Sequence, residues 1–233
     1  NQPWMSLRNV LTEIEFETGV STVGNYAFYL CSKLMTIVWG GITTINENAF
    51  ESSGIENLKI PATITTIKAS AFANCNQLIT LEYPAQQMTT DPSILSGSIN
   101  LKTIKIIKGK QNGIMQDYTS SAEQPWSTIR EKIETIILTE DITSIGSYAF
   151  EGCSGITTLE LPASVKTIKQ NAFSNCVKLE TIKLNSIEQI ENNAFASTNI
   201  SSLTIPGSIK NIGENAFGLC SKLNEVIYPC HDF

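Results

Sequence analysis

An apolar triad with spacing i, i+3, i+5 occurs ten times in this chain, starting at Leu11, Leu34, Ile55, Leu78, Leu101, Ile133, Ile156, Leu179, Ile200 and Leu223. Successive copies are 21 to 23 residues apart, with one longer interval. Repetition at that period specifies a solenoid, because a unit this short buries its apolar side only by stacking on its neighbours. Function is therefore expected on a long surface and not in one deep pocket.

Each unit reads as a strand, a short turn, a second apolar pair and a closing Ala-Phe. In Ile55-Glu56-Asn57-Leu58-Lys59-Ile60, Leu58 and Ile60 share one face by the period of two. Pro61, Pro84, Pro162 and Pro206 stand where the strand leaves the sheet, since proline cannot donate to a ladder. Phe28, Phe50, Phe72, Phe150, Phe173, Phe195 and Phe217 share one register and predict a ring spine, with alanine before each allowing coils to approach. Asn48, Asn171, Asn193 and Asn215, two places before the ring, are expected to bond freed backbone groups. Cys31, Cys75, Cys153, Cys176 and Cys220 each follow a repeat phenylalanine by three residues, which predicts a ladder of buried thiols. Cys230 stands outside the register, and a free, a reactive or a Cys220-paired state are its open alternatives.

Two irregularities interrupt the pattern. The units from Leu34 and Leu179 are 21 residues long, lack the proline and the cysteine, and are one residue short on each side of the phenylalanine. Such tight coils are expected to bend or twist the array. The interval from Leu101 to Ile133 is 32 residues, and within it Gln124-Pro125-Trp126-Ser127-Thr128-Ile129-Arg130 echoes Gln2-Pro3-Trp4-Met5-Ser6-Leu7-Arg8 at an offset of 122. The chain is thus read as a first array over 1–108 with a Pro-Trp cap, an insert and second cap over 109–132, and a second array over 133–233. One continuous solenoid is expected, with two hinged bodies as the alternative. Trp126, Ile129 and Ile133 have helix-like spacing, the stretch from Lys108 to Glu123 reads as a loop or hairpin, and Ile94-Leu95 stands where Ala-Phe belongs.

Several chemistries are excluded. A net charge of -6 with 16% charged residues provides no basic stripe for a phosphate backbone, so nucleic acid is not an expected partner. No apolar run approaches the 18 residues that cross a bilayer, and Asn1-Gln2-Pro3-Trp4 has neither region of a signal peptide. A start without Met suggests an excised or mature segment, with any anchor or export signal outside it. The single histidine, His231, adjoins Cys230 two residues from the end, where neighbours point apart and a base cannot be held in catalytic geometry. Cys-x-x-Cys pairs and alternating acidic loops are missing, so no metal or other cofactor is expected, and no enzymatic activity.

The outward strand positions are more informative. They are predominantly Thr or Ser before the second apolar residue of each triad, and mix both charge signs with Val38, Ile137 and Ile227 after it. The candidate partner-binding face comprises Glu15, Thr36, Lys59, Thr80, Glu82, Lys105, Thr135, Thr158, Glu160 and Lys183, with Tyr26 and Tyr148 as exposed anchors of a type enriched at binding hot spots. The competing reading is that threonine simply favours strands and stabilises cross-strand pairs.

The unit from Ile156 through Leu159, Leu161, Pro162, Val165, Ile168, Ala172 and Phe173 to Cys176 resembles the BspA-type leucine-rich repeat, also called the Treponema pallidum class. The stretch from Asp117-Tyr118 to Pro125-Trp126 is similar to segments that open arrays in that family. The resemblance implies an α/β-type repeat solenoid, a right-handed leucine-rich superhelix rich in strands with short turns and 3-10 segments. It also implies a cell-surface or secreted protein of mucosal anaerobes or trichomonads, adhering to host cells, extracellular matrix or other microbes through a protein or matrix ligand. It implies no activity and no cofactor. The alternatives are a structural spacer that projects another domain, and a secreted effector or scaffold for a host protein.

Overall fold

The computed structural model describes residues 4–228; Asn1, Gln2, Pro3, Cys230 and His231, named above, lie outside the described residues. The strands in chain order are β1 (Glu13–Glu15), β2 (Thr22–Val23), β3 (Thr36–Val38), β4 (Thr44–Ile45), β5 (Asn57–Lys59), β6 (Thr66–Ile67), β7 (Thr80–Ala85), β8 (Thr89–Thr90), β9 (Thr103–Lys108), β10 (Thr135–Leu138), β11 (Ser144–Ile145), β12 (Thr158–Glu160), β13 (Thr167–Ile168), β14 (Thr181–Lys183), β15 (Gln189–Ile190), β16 (Ser202–Thr204), β17 (Asn211–Ile212) and β18 (Glu225–Ile227). Each apolar triad places one strand on the front face, and the second apolar pair places a two-residue strand in a second row. Every pairing is parallel and joins equivalent residues of successive coils, as in Leu81 with Ile104. This is a parallel β-solenoid of leucine-rich-repeat type.

Among the described residues there is no α-helix, only the 3-10 turns Met5–Leu7, Ser121–Glu123 and Arg130–Lys132. The helix-like spacing after Trp126 is realised as i to i+3 bonds, with Ile129 N–H donating to Trp126 C=O and Lys132 N–H to Ile129 C=O.

The core follows the phenylalanine register, but as two ring stacks. Trp4, Phe28, Phe50 and Phe72 stack at centroid spacings of 5.1 to 5.2 Å. Trp126, Phe150, Phe173, Phe195 and Phe217 stack at 5.3 to 5.4 Å. The stacks are separate because Leu95 supplies no ring between Phe72 and Trp126. Trp4 and Trp126 each open a stack and donate the indole N–H to the carbonyl of the alanine before its first phenylalanine, Ala27 and Ala149 respectively. Beside the rings, Phe50 N–H donates to Ala71 C=O, Phe150 to Ala172 and Phe173 to Ala194, each at 2.8 Å.

The asparagines serve this turn through conformation more than through side-chain bonding. Tyr26, Asn48, Ser70, Tyr148, Asn171, Asn193 and Asn215, all two places before the ring, have φ between 51 and 57°. Asparagine enters that left-handed region at lower cost than most residues. The side-chain bond of Asn48 goes to the Glu51 carboxylate and not to the backbone.

Cys31, Cys75, Cys153, Cys176 and Cys220 are buried, and no two of these described cysteines are paired with each other. Cys75 Sγ donates to Phe50 C=O and Cys176 Sγ to Phe150 C=O, both at 3.3 Å. Ser53, Ser98 and Thr198 occupy the same register where cysteine is absent, and Ser98 Oγ likewise donates to Phe72 C=O at 2.9 Å. Ser53 and Thr198 instead lie 3.2 and 3.1 Å from the next coil's Cys75 and Cys220 sulfurs. The ladder therefore needs a small side chain with a weak donor, and thiol and hydroxyl both serve.

The stretch read as a loop or hairpin contributes to the second row. Ile114 bridges in parallel to Ser144, while Met115 N–H donates to Ser144 C=O and Tyr118 N–H to Ser147 C=O. Met115 and Tyr118 are buried. Partial burial works against ionisation of Asp117, but Lys169 at 2.6 Å and the Ser147 N–H outweigh it and hold the carboxyl below its usual range. Front-face pairing continues from β9 to β10.

Burial pushes the Cys153 thiol up to about 12 and Cys176 well above its ordinary value. A thiol that ionises in the unfolded chain but not in the folded one favours unfolding as pH rises. The thiol contribution should be fully present below about pH 8.5 and fall above it, by at most ~1.4 kcal/mol per pH unit per thiol. Urea unfolding at pH 7.5 and 10.5 measures this decline, which should be shallower in the Cys153→Ser/Cys176→Ser variant.

Candidate functional site: the front strand face and its openings

Alternation turns the second residue of each triad inward and its two neighbours outward. Leu58, Leu81 and Leu159 are accordingly buried between exposed or half-buried partners. Glu15, Thr36, Lys59, Thr80, Glu82, Lys105, Thr135, Thr158, Glu160 and Lys183 all lie on this outward face. Tyr26 and Tyr148 do not. They occupy the left-handed corner before the ring, away from the front strands, where Tyr26 packs edge-on against Tyr29 and Tyr148 receives a long bond from Gln170.

Most of the nominated charges pair with one another. Glu82 on β7 lies 2.7 Å from Lys105 on β9 and 3.8 Å from Lys59 on β5. Glu160 on β12 lies 3.1 Å from Lys183 on β14. Exposed pairs of this kind contribute little stability, roughly 0 to 1 kcal/mol each. They do leave the closed parts of the face electrostatically satisfied.

The front sheet is not continuous. It runs as β1-β3, then β5-β7-β9-β10, then β12-β14, then β16-β18. Two of the three breaks lie directly downstream of the 21-residue coils, at β3/β5 and β14/β16. There the second row stays paired, through β2-β4-β6-β8 and β11-β13-β15-β17. The back of the solenoid keeps its register and the shortened coil yields at the front. The break at β10/β12 follows a 23-residue coil, so coil length does not account for it.

At β3/β5 no Cα of one strand comes within 8 Å of a Cα of the other, where paired strands stand about 4.8 Å apart. The opening is a groove of about 500 Å³ lined by Met35, Thr36, Ile37 and Trp39 on one side and by residues from Ile55 to Lys59 on the other. Ile37, equivalent to the buried Leu58 and Leu81, is half-exposed through it. In the closed ladders paired amides grip one carbonyl of the preceding coil, as Ile79 and Thr80 N–H do with Glu56 C=O. The corresponding Glu56 and Asn57 N–H groups make no backbone bond to Met35 C=O, nor does Trp39 N–H bond Lys59 C=O. Trp39 Nε1 donates to that carbonyl instead, at 2.7 Å. A groove of about 840 Å³ marks the β10/β12 break, lined by Ile136, Ile137, Leu138, Glu160 and Asn185 among others. Ile137, an exposed apolar member of the outward series on β10, lines the second groove, and Val38, its exposed counterpart on β3, stands between Ile37 and Trp39 of the first without lining it.

Periodicity does not single out Met35, Ile37, Trp39 or Glu56 as surface features, because two of them occupy core positions of the triad. The usable signals are the shortened coil and a valine where other units carry a charge. No group of three His, Cys, Asp or Glu among the described residues could hold a metal ion, and no helix there is long and apolar enough to cross a membrane. The open edge predicts fast exchange at specific amides. Glu56, Asn57 and Trp39 N–H should exchange at least ~100-fold faster than Ile79 and Thr80 N–H, measured residue by residue by NMR.

Residues 7–119 and 129–232 match the family described as BspA type leucine rich repeat region, in six copies. No curated protein is a significant match. Among solved structures, a leucine-rich repeat protein from Bacteroides ovatus is 20% identical with a TM-score of 0.55, over 94% of this chain and 49% of that one. A leucine rich cell surface protein from Faecalibacterium prausnitzii is 18% identical over 97% of this chain and 62% of its own, with a TM-score of 0.36. The Treponema pallidum leucine rich repeat protein is 16% identical over 93% and 69%, with a TM-score of 0.37. The chain thus spans about half the length of the first and under two thirds of the second. With the triads, the ring register and the parallel coils matched over nearly its whole length, the chain belongs to the BspA-type leucine-rich repeat family.

Proposed function

We propose that this chain is a non-enzymatic recognition module of a cell-surface or secreted protein, binding a host or microbial protein or matrix component through its front strand face. The observation that carries the reading is the contrast along that face. Where the ladder is closed, outward charges pair across strands; where it opens at β10/β12, exposed Ile137 lines a concave groove, and at β3/β5 exposed Val38 stands on the edge strand between the groove-lining Ile37 and Trp39. Apolar side chains beside a groove and within a polar rim suit a protein partner. Family membership supports the surface or secreted setting.

A spacer that only projects another domain would be indifferent to changes at these positions. The variant Val38→Glu/Ile137→Glu should retain its thermal unfolding midpoint within a few degrees, because both side chains already face solvent. Under the proposal it binds immobilised matrix or epithelial cells at least ~10-fold more weakly than the native chain, since a new charge must be desolvated in the contact. Unchanged binding would favour the spacer.

A further inference from the structure

The opening between β3 and β5 has more than an apolar lining. Thr36 N–H bonds back to Thr12 C=O on the β1 side, and Val38 C=O accepts from Phe16 N–H on that side. Alternation therefore turns both hydrogen-bonding groups of Ile37 and the N–H of Trp39 away from β1, toward the opening, while Trp39 C=O accepts from Ile42 N–H in the turn that follows. Across it, Ile79 and Thr80 N–H bond Glu56 C=O and Ile60 N–H bonds Glu82 C=O. The groups of Asn57 and Lys59 accordingly turn toward β3. Two parallel strand edges face each other across a gap wider than one ladder spacing, and neither pairs with the other.

We infer that this slot receives an extended peptide segment of a partner protein by strand addition, pairing with the free edges of β3 and β5. A side chain or a sugar would satisfy one or two of these groups, whereas an extended backbone presents alternating donors and acceptors along both of its edges. An added strand also continues the two ladders already present, β1-β3 on one side and β5-β7 on the other. Length is bounded: Met35 to Trp39 spans about 17 Å of strand, or about five residues, and the bond from Trp39 Nε1 to Lys59 C=O closes the far end. Side chains of the segment alternate, one set meeting Ile37 and Leu58 and the other facing solvent.

Charge specifies the entrance. Glu56 lies at the rim of the slot and Glu13 on β1 stands beside Thr36. Neither has an ion-pair partner among the described residues, unlike Glu82 and Glu160 on the closed ladders. The segment that fits is extended, apolar at alternate positions, and basic where it enters.

The inference deepens the front-face reading and rests on it for biological context, but its test is independent of cell binding. The probe is an acetylated, amidated heptapeptide of alternating lysine and valine, added to the native chain while amide exchange is followed by NMR. Strand addition should slow exchange at Ile37, Trp39, Asn57 and Lys59 at least ~10-fold, leave Ile79 and Thr80 unchanged, and disappear when alternate peptide nitrogens are N-methylated. Equal slowing by the N-methylated peptide would overturn the inference, because binding would then be by charge alone. So would no slowing at millimolar peptide. Slot protection in a chain that fails to bind cells or matrix would sink the adhesion proposal alone; cell binding with slot amides untouched by peptide would sink only strand addition.

Discussion

The bond from a phenylalanine N–H to the alanine carbonyl of the next coil, made beside stacked rings, sets the register on which the rest of the solenoid depends. It recurs with nearly constant length wherever Ala-Phe recurs, and it fixes the ring spacing at 5.2 to 5.4 Å. Alanine is needed because any larger side chain would hold the coils apart, and Ala49, Ala71, Ala149, Ala172 and Ala194 are fully buried. The left-handed residue two places earlier turns the chain so that its N–H also reaches the next coil, as Asn48 N–H reaches Ala69 C=O. The thiol and hydroxyl ladder occupies the small space left beside the rings.

A back so constrained transfers the shortening of the 21-residue coils to the front. The 21-residue coils keep their place in the ring stack and in the second row, and their missing residues appear as lost pairing downstream of β3 and β14. Gly40 shows how tightly the first short coil is drawn in. Its φ is +49°, and a β-carbon there would stand 1.9 Å from the Phe16 carbonyl oxygen. The same shortening that tightens the turn opens the face. A repeat that would otherwise present a uniform sheet of threonines and paired ions thereby gains local openings, and these distinguish one stretch of its surface from another.

Much of this was legible in the sequence, for a physical reason. Residues buried in every coil must recur, so the triads, the ring register, the Pro-Trp openings and the thiol ladder are visible in the spacing alone. The need for positive φ was hidden because Tyr26, Ser70 and Tyr148 meet it alongside the asparagines. The stretch around Ile114 looks like a loop or hairpin in sequence because a single bridge leaves no periodic signature. The short coils at Leu34 and Leu179 were countable, but a count does not say which side of a coil gives way. That depends on the relative strength of ring stacking and strand pairing, and it decides whether Ile37 is core or surface. Lys59, Glu82, Lys105, Glu160 and Lys183 lie on outward strand positions that alternation makes visible, but their mutual pairing depends on lateral register, which no single unit reveals.

The central claim is that coil length, acting against a fixed back, opens the front sheet. A chain with a proline inserted directly after Trp39 and one residue inserted between Phe50 and Ile55 would restore that coil to 23 residues. The direct measurement is residue-resolved amide exchange at Asn57 in this chain, with Thr103 as the internal reference for an intact fold. Closure of the ladder should bring Asn57 to the protection of Thr80, whereas an Asn57 amide that still exchanges as in the native chain, with Thr103 protected, would contradict the account.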